Sequence, residues 1–179
     1  MRTVLVGKTH MAADTDGLAR LGVDPVSEAG VLVSQCGFEP VERDDGLHPT
    51  GFVDPHLAYN EFLKARGYPG DNPWHDWANS AEGPDGEVLS GWLMRHARKP
   101  ARVREEDSET PYMTDRAIEF IAAQGDAPWC VHLSFIKPHW PYMASPPYND
   151  LYGPNQCLGV KRDERERAAA EVAGKKQGG

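Results

Sequence analysis

The sequence predicts an α/β fold: a parallel sheet with helices packed on it and long irregular loops. Three observations predict it. Thr3-Val4-Leu5-Val6 is a β-branched apolar burst that Gly7 ends. Trp129 to Ile136 is a second apolar run with poor two-residue alternation, the pattern of a parallel strand covered on both faces. Glu105 to Gly125 reads as a helix that leads straight into that run, which is half of a strand–helix–strand crossover. Residues 1–158 are expected to form one domain with an insertion loop at about 68–100. Residues 159–179 are expected to be a charged, frayed tail.

The other elements follow from local signals. After the first strand, Ala12 to Gly37 reads as loop then helix, with Ser27 as N-cap and Gly37 as stop. Phe38 to Arg43 reads as a short extended segment, and Asp44-Asp45-Gly46 as a turn. Asp44 and Asp45 also have the chemistry of a metal carboxylate pair, but no third ligand stands near them in sequence. Asp54-Pro55-His56 marks a helix N-terminus, Leu57, Ala58, Phe62 and Leu63 give it an apolar stripe, and Gly67 closes it. Tyr68 to Glu87 is rich in turns and aromatics, expected as an ordered surface insertion with its tryptophans packed down. Arg95 to Lys99 is expected to be a solvated basic cluster. In the Glu105–Gly125 helix, Thr110 or Thr114 can cap, and Ala117, Ile118, Phe120, Ile121 and Ala122 are expected on the apolar side.

Charge and composition exclude several functions. The chain has 179 residues and carries 19 Lys and Arg against 27 Asp and Glu, a net charge of -8, so it lacks the basic footprint of a nucleic-acid binder. No apolar stretch is long enough to span a membrane. Cys36, Cys130 and Cys157 are too widely spaced for a disulfide framework or a zinc site, which points to a reducing cytoplasm. Gly7-Lys8-Thr9 resembles the end of a phosphate-binding loop, but Arg2 stands where that motif needs its first glycine.

Two short stretches carry the chemistry. Lys8 and His10 follow the first strand two residues apart, so in an extended segment both can aim at one anion. The alternative is a solvated lysine beside a turn histidine. His139 sits between Pro138 and Pro141, just past the end of the second strand. The prolines restrain that loop, and open α/β sheets place their ligand crevices at the carboxyl ends of strands. The alternative is a proline-rich turn with an incidental histidine.

Both stretches resemble the sulfatase family of the alkaline phosphatase superfamily, in particular arylsulfatases and phosphonate monoester hydrolases. Val6 to Met11 is similar to that family's Gly-Lys-x-His segment. Thr114-Asp115-Arg116-Ala117, the strand from Trp129, Pro138-His139-Trp140-Pro141 and Pro146 to Tyr152 are similar to a later block, in the right order and at the right distance. The resemblance implies an alkaline-phosphatase-like sheet and hydrolysis of a small sulfate or phosphate/phosphonate ester. It implies that Lys8 contacts the anion, that His10 helps break down a covalent intermediate, and that His139 binds the ester oxygens and assists the leaving group. Lys137 receives no role.

The departures are as specific. No cysteine stands in the family's Cys-x-Pro/Ala-x-Arg context, which would become formylglycine, and the family's metal-ligating aspartates have no counterpart. The expectation is therefore an internal piece of such a hydrolase, inactive alone. Its divalent metal (Ca or Mn) would belong to the full-length parent, and none would bind tightly here. The competing expectation is a non-catalytic relative that binds an anion or a partner chain. Exposed sheet edges would favour self-association.

Overall fold

A computed structural model of the chain describes residues 1–9, 11, 13–45, 57–159 and 163–166. Strand β1 (Arg2–Gly7) is followed by two short helices, α1 (Thr15–Arg20) and α2 (Glu28–Ser34), and then β2 (Glu39–Arg43). Helix α3 (Ala58–Ala65) leads to a hairpin of β3 (Ser80–Glu82) and β4 (Val88–Ser90), then to α4 (Glu109–Gln124) and β5 (Trp129–Ser134). The main sheet has the order β2-β1-β5, and both pairings are parallel. Arg2 stands opposite Trp129 and Gly7 opposite Ser134, so β1 and β5 end together.

Local signals explain most boundaries. The Ser27 hydroxyl accepts from the Gly30 amide and starts α2, as expected. Asp14 caps α1 in the same way through Gly17, a helix absent from the sequence reading. Gly125 (φ 56°) stops α4 with a backbone conformation that most side chains resist. Gly7 (φ 102°) is the most constrained glycine: a Cβ there would stand 1.8 Å from the Ser134 carbonyl oxygen. The close approach of β1 to β5 at their carboxyl ends therefore requires glycine.

The structure corrects five expectations. Val4, Leu5 and Val6 are fully buried, so β1 is the strand covered on both faces. β5 is not: Trp129 and Leu133 are exposed, as is Phe135 just beyond it. Among the described residues β5 has one sheet neighbour, so it lies at an edge, and the helix on it, α4, also has to cover β1. In α4, Ala117 and Phe120 are buried with Tyr112 and Met113, whereas Ile118 and Ile121 are exposed. Positions 113, 117 and 120 recur at helical spacing on one face, and 118 and 121 are rotated off it.

The capping expectation for α4 also fails, because Ser108 occupies the N-cap and makes no side-chain cap bond. Finally, the stretch expected as a surface insertion supplies much of the core. Tyr68, Trp74, Ala78 and Ala81 join Val6, Tyr59, Leu63, Tyr112 and Met143 in one buried cluster. Trp74 is 1% exposed, packed down as expected but at the centre of the core. The basic cluster is solvated at Arg95, Arg98 and Lys99, while His96 is buried with Nδ1 2.8 Å from the Ser90 carbonyl oxygen. The Asp54-Pro55-His56 signal, Gly46 and most of 159–179 lie outside the described residues.

Candidate active-site edge and its buried lysine

The carboxyl ends of β1, β2 and β5 meet along one edge of the sheet. The Lys8 amide donates to the Ser134 carbonyl (3.2 Å), and the Asp44 amide donates to the Gly7 carbonyl (3.2 Å). The loop after β1 is clamped from β2. Asp45 accepts from the Thr9 amide (3.0 Å) and from Arg43 (2.6 Å), and Arg43 also donates to the Met11 carbonyl (3.0 Å). Residues 9 and 11 are thus both anchored. His10, between them, lies outside the described residues.

His139 lies beyond β5 at the same edge. It is exposed, its amide donates to the Ile136 carbonyl (2.7 Å), and Nδ1 is 2.6 Å from the Trp140 carbonyl oxygen. That contact fixes the ring's orientation. Lys8 is partly buried at the end of the neighbouring strand. The edge thus gathers two of the three sequence-derived residues onto loops leaving adjacent parallel strands.

Sequence reasoning missed a second group of residues. Lys137 donates from Nζ to Asn79 Oδ1 (2.6 Å) and to the Pro141 carbonyl (2.8 Å), and so ties the His139 loop to the core. Burial lowers its pKa to about 8, while Glu109 pulls it back up. Glu109 is 5% exposed. Burial pushes its pKa well above the ordinary carboxylate range, and the charge of Asp44 and a hydrogen bond to it push further. Lys137 and the Trp74 indole act in the opposite direction. Glu109 therefore holds its proton more tightly than an ordinary carboxyl.

Asp44 is 1% exposed, so it is no surface turn residue. Glu42, half-buried nearby, is also raised, first by burial, with Tyr112 and Arg116 opposing. Glu109 and Lys137 line a cavity of about 560 Å³ walled by Ala101, Val103 and Met143. The signal that could have revealed this group was a charged residue, Lys137, joined to an apolar run before a proline.

Comparison with known proteins fixes the relationship. The multifunctional alkaline phosphatase superfamily protein PehA of Trinickia caryophylli is 35% identical over 128 residues, 70% of this chain and 23% of that protein. A phosphonate monoester hydrolase from Silicibacter pomeroyi superposes on 95% of this chain with a TM-score of 0.63 and 25% identity. This chain belongs to the alkaline phosphatase superfamily. The phosphonate monoester hydrolase of Agrobacterium radiobacter shares the fold, with a TM-score of 0.61 at 21% identity over 96% of this chain. The chain spans about 30% of both solved relatives. No family model matches. The superfamily α/β fold expected from the sequence is therefore present. The two solved relatives are named as phosphonate monoester hydrolases, and none of the three relatives is named as a sulfatase.

Among the described residues no group of three His, Cys, Asp or Glu could hold a metal ion, and none of their helices is long and apolar enough to cross a membrane. The described residues therefore do not fit a superfamily metal centre by themselves.

Proposed function

We propose that this chain is the oxyanion-gripping part of an ester hydrolase acting on a small phosphonate, phosphate or sulfate ester, and that it does not turn over alone. The observation that carries this reading is the common edge: Lys8 and His139 leave adjacent parallel strands joined by the Lys8–Ser134 backbone bond. A tetrahedral ester develops charge on its non-bridging and leaving oxygens in the transition state. An ammonium and an imidazole at that edge stabilise the charge and can supply a proton to the departing oxygen. Lys8 takes the anion, His139 the ester and leaving oxygens, and His10 the breakdown of a covalent intermediate.

A divalent cation, Ca or Mn, would polarise the same oxygens. It needs about six oxygen ligands, which the described residues do not assemble. The metal and the nucleophile would thus come from other parts of a complete enzyme. The free cysteines accord with a cytoplasmic setting. The edges of β2 and β5, unpaired among the described residues, suit pairing with another chain.

The test is a titration of the full chain with inorganic phosphate, sulfate and methylphosphonate. Saturable binding that weakens about tenfold or more in Lys8→Ala and in His139→Ala is expected, a loss of charge-assisted hydrogen bonds. Binding untouched by either change sinks the edge as the site. An aryl phosphonate and an aryl sulfate are then offered with and without Ca²⁺ or Mn²⁺. Metal-dependent turnover by this chain would refute its inactivity.

A further inference from the structure

Lys137 is engaged by two acceptors and lies against an apolar cavity, and the ester chemistry above does not use it. An ammonium has three hydrogens and no lone pair. The neutral amine has two hydrogens and one lone pair. Asn79 Oδ1 and the Pro141 carbonyl accept two hydrogens, which is all that the neutral amine has. Its lone pair is then left for a third direction. The cavity lined by Lys137 and Glu109 has about 560 Å³, room for a small organic molecule. Its walls at Ala78, Val103 and Met143 disfavour a charged occupant and suit a neutral one.

We propose that Lys137 and Glu109 form a carbonyl-reactive site, in which the Lys137 amine condenses with a small neutral aldehyde held in this cavity and Glu109 acts as the acid. The nitrogen lone pair attacks the carbonyl carbon, the π pair goes to oxygen, and one N–H proton moves to that oxygen, giving a carbinolamine. Glu109 then gives its proton to the hydroxyl. The nitrogen lone pair closes the C=N bond as water leaves, and an iminium remains paired with the Glu109 carboxylate. Nothing is oxidised or reduced, and no further reactant is needed. A lysine that loses its proton near pH 8 in a partly buried site is prepared for such chemistry.

Glu109 faces this amine from α4. Asp44 and the Trp74 indole stand behind Glu109, and Glu105 and Asp115 line the cavity with it.

The full chain is treated with benzaldehyde and cyanoborohydride, which fixes the imine as a secondary amine, and each lysine is followed by peptide mass mapping. At pH 7, Lys137 should be modified at least about tenfold faster than the exposed Lys64, because far more of it is neutral. Its rate should rise to a plateau above about pH 8. Glu109→Gln keeps the amine and removes the acid, and should slow trapping at Lys137 about tenfold or more without changing Lys64. Should Lys137→Arg fail to fold, the wild-type peptide map still decides. Equal rates at Lys137 and Lys64, or a Lys137 rate unaffected by Glu109→Gln, overturn the proposal.

Discussion

Two buried carboxyl centres flank the N-cap of α4, Ser108, and they are handled in different ways. Asp107, in the 3₁₀ turn before the helix, is fully buried but surrounded by donors. Tyr68 (2.8 Å) and Arg104 (2.5 Å) donate to Oδ2, and Arg66 stands 3.2 Å from Oδ1. Tyr59 adds a hydrogen bond to its backbone carbonyl (2.8 Å). Glu109, two residues on, meets another acid, Asp44, and one partly buried lysine. The first centre is compensated and fixes the start of α4. The second is under-compensated: burial and Asp44 push the Glu109 carboxyl above its ordinary range, and burial lowers the neighbouring lysine. Perturbation of that kind beside a cavity is a mark of chemistry, whereas full compensation is a mark of architecture.

The comparison can be broken at either centre. The largest effect is expected from Asp107→Asn, which keeps the shape and removes the charge that two arginines and a tyrosine address. It should lower unfolding free energy by about 3 kcal/mol in urea denaturation at pH 7. A change below about 1 kcal/mol would place Asp107 in the same class as Glu109.

Next comes the pH dependence of the second centre. The raised pKa of Glu109 makes its contribution full below the unfolded carboxylate pKa and lost as pH rises through the folded value. Wild type should therefore lose stability relative to Glu109→Gln as pH rises through that folded value, at up to about 1.4 kcal/mol per pH unit. Lys137 has the opposite sign. Its pKa is lowered from 10.5 to about 8 in the folded chain, so wild type should gain stability relative to Lys137→Met as pH rises through that window. Difference curves without these slopes would mean that neither group is perturbed.

Glu109→Gln itself, measured where Glu109 is protonated, should cost less than about 1 kcal/mol, since a neutral group replaces a neutral group. The smallest effect is expected for Glu39, which pairs with Arg2 on the surface at 2.8 Å. Glu39→Gln should leave the denaturation midpoint unchanged within error, because solvent screens that pair. A clear shift there would weaken the inference from burial to energy at the other two centres.

Parts of this protein were legible residue by residue. The β1 burst, the Ser27 cap, the Gly67 and Gly125 stops and the passage of α4 into β5 were read correctly, because each signal acts on backbone within a few residues. Lys8 and His139 could be placed past strand ends for the same reason, although their roles rest on the proposal above. The burial of Asp44 was not legible, because Asp-Asp-Gly locally suggests only a turn. Ile118 and Ile121 were assigned to a covered face that the helix does not turn towards the sheet.

The sequence by itself therefore determined the strands of the main sheet, most of the helices and the superfamily, through short-range sterics, capping and two short motifs. Tertiary structure alone decided which strand is covered on both faces, that Trp74 sits in the core, and that Asp44, Glu109 and Lys137 meet. Burial and pKa depend on which distant segments pack together and exclude water, and no local pattern carries that information.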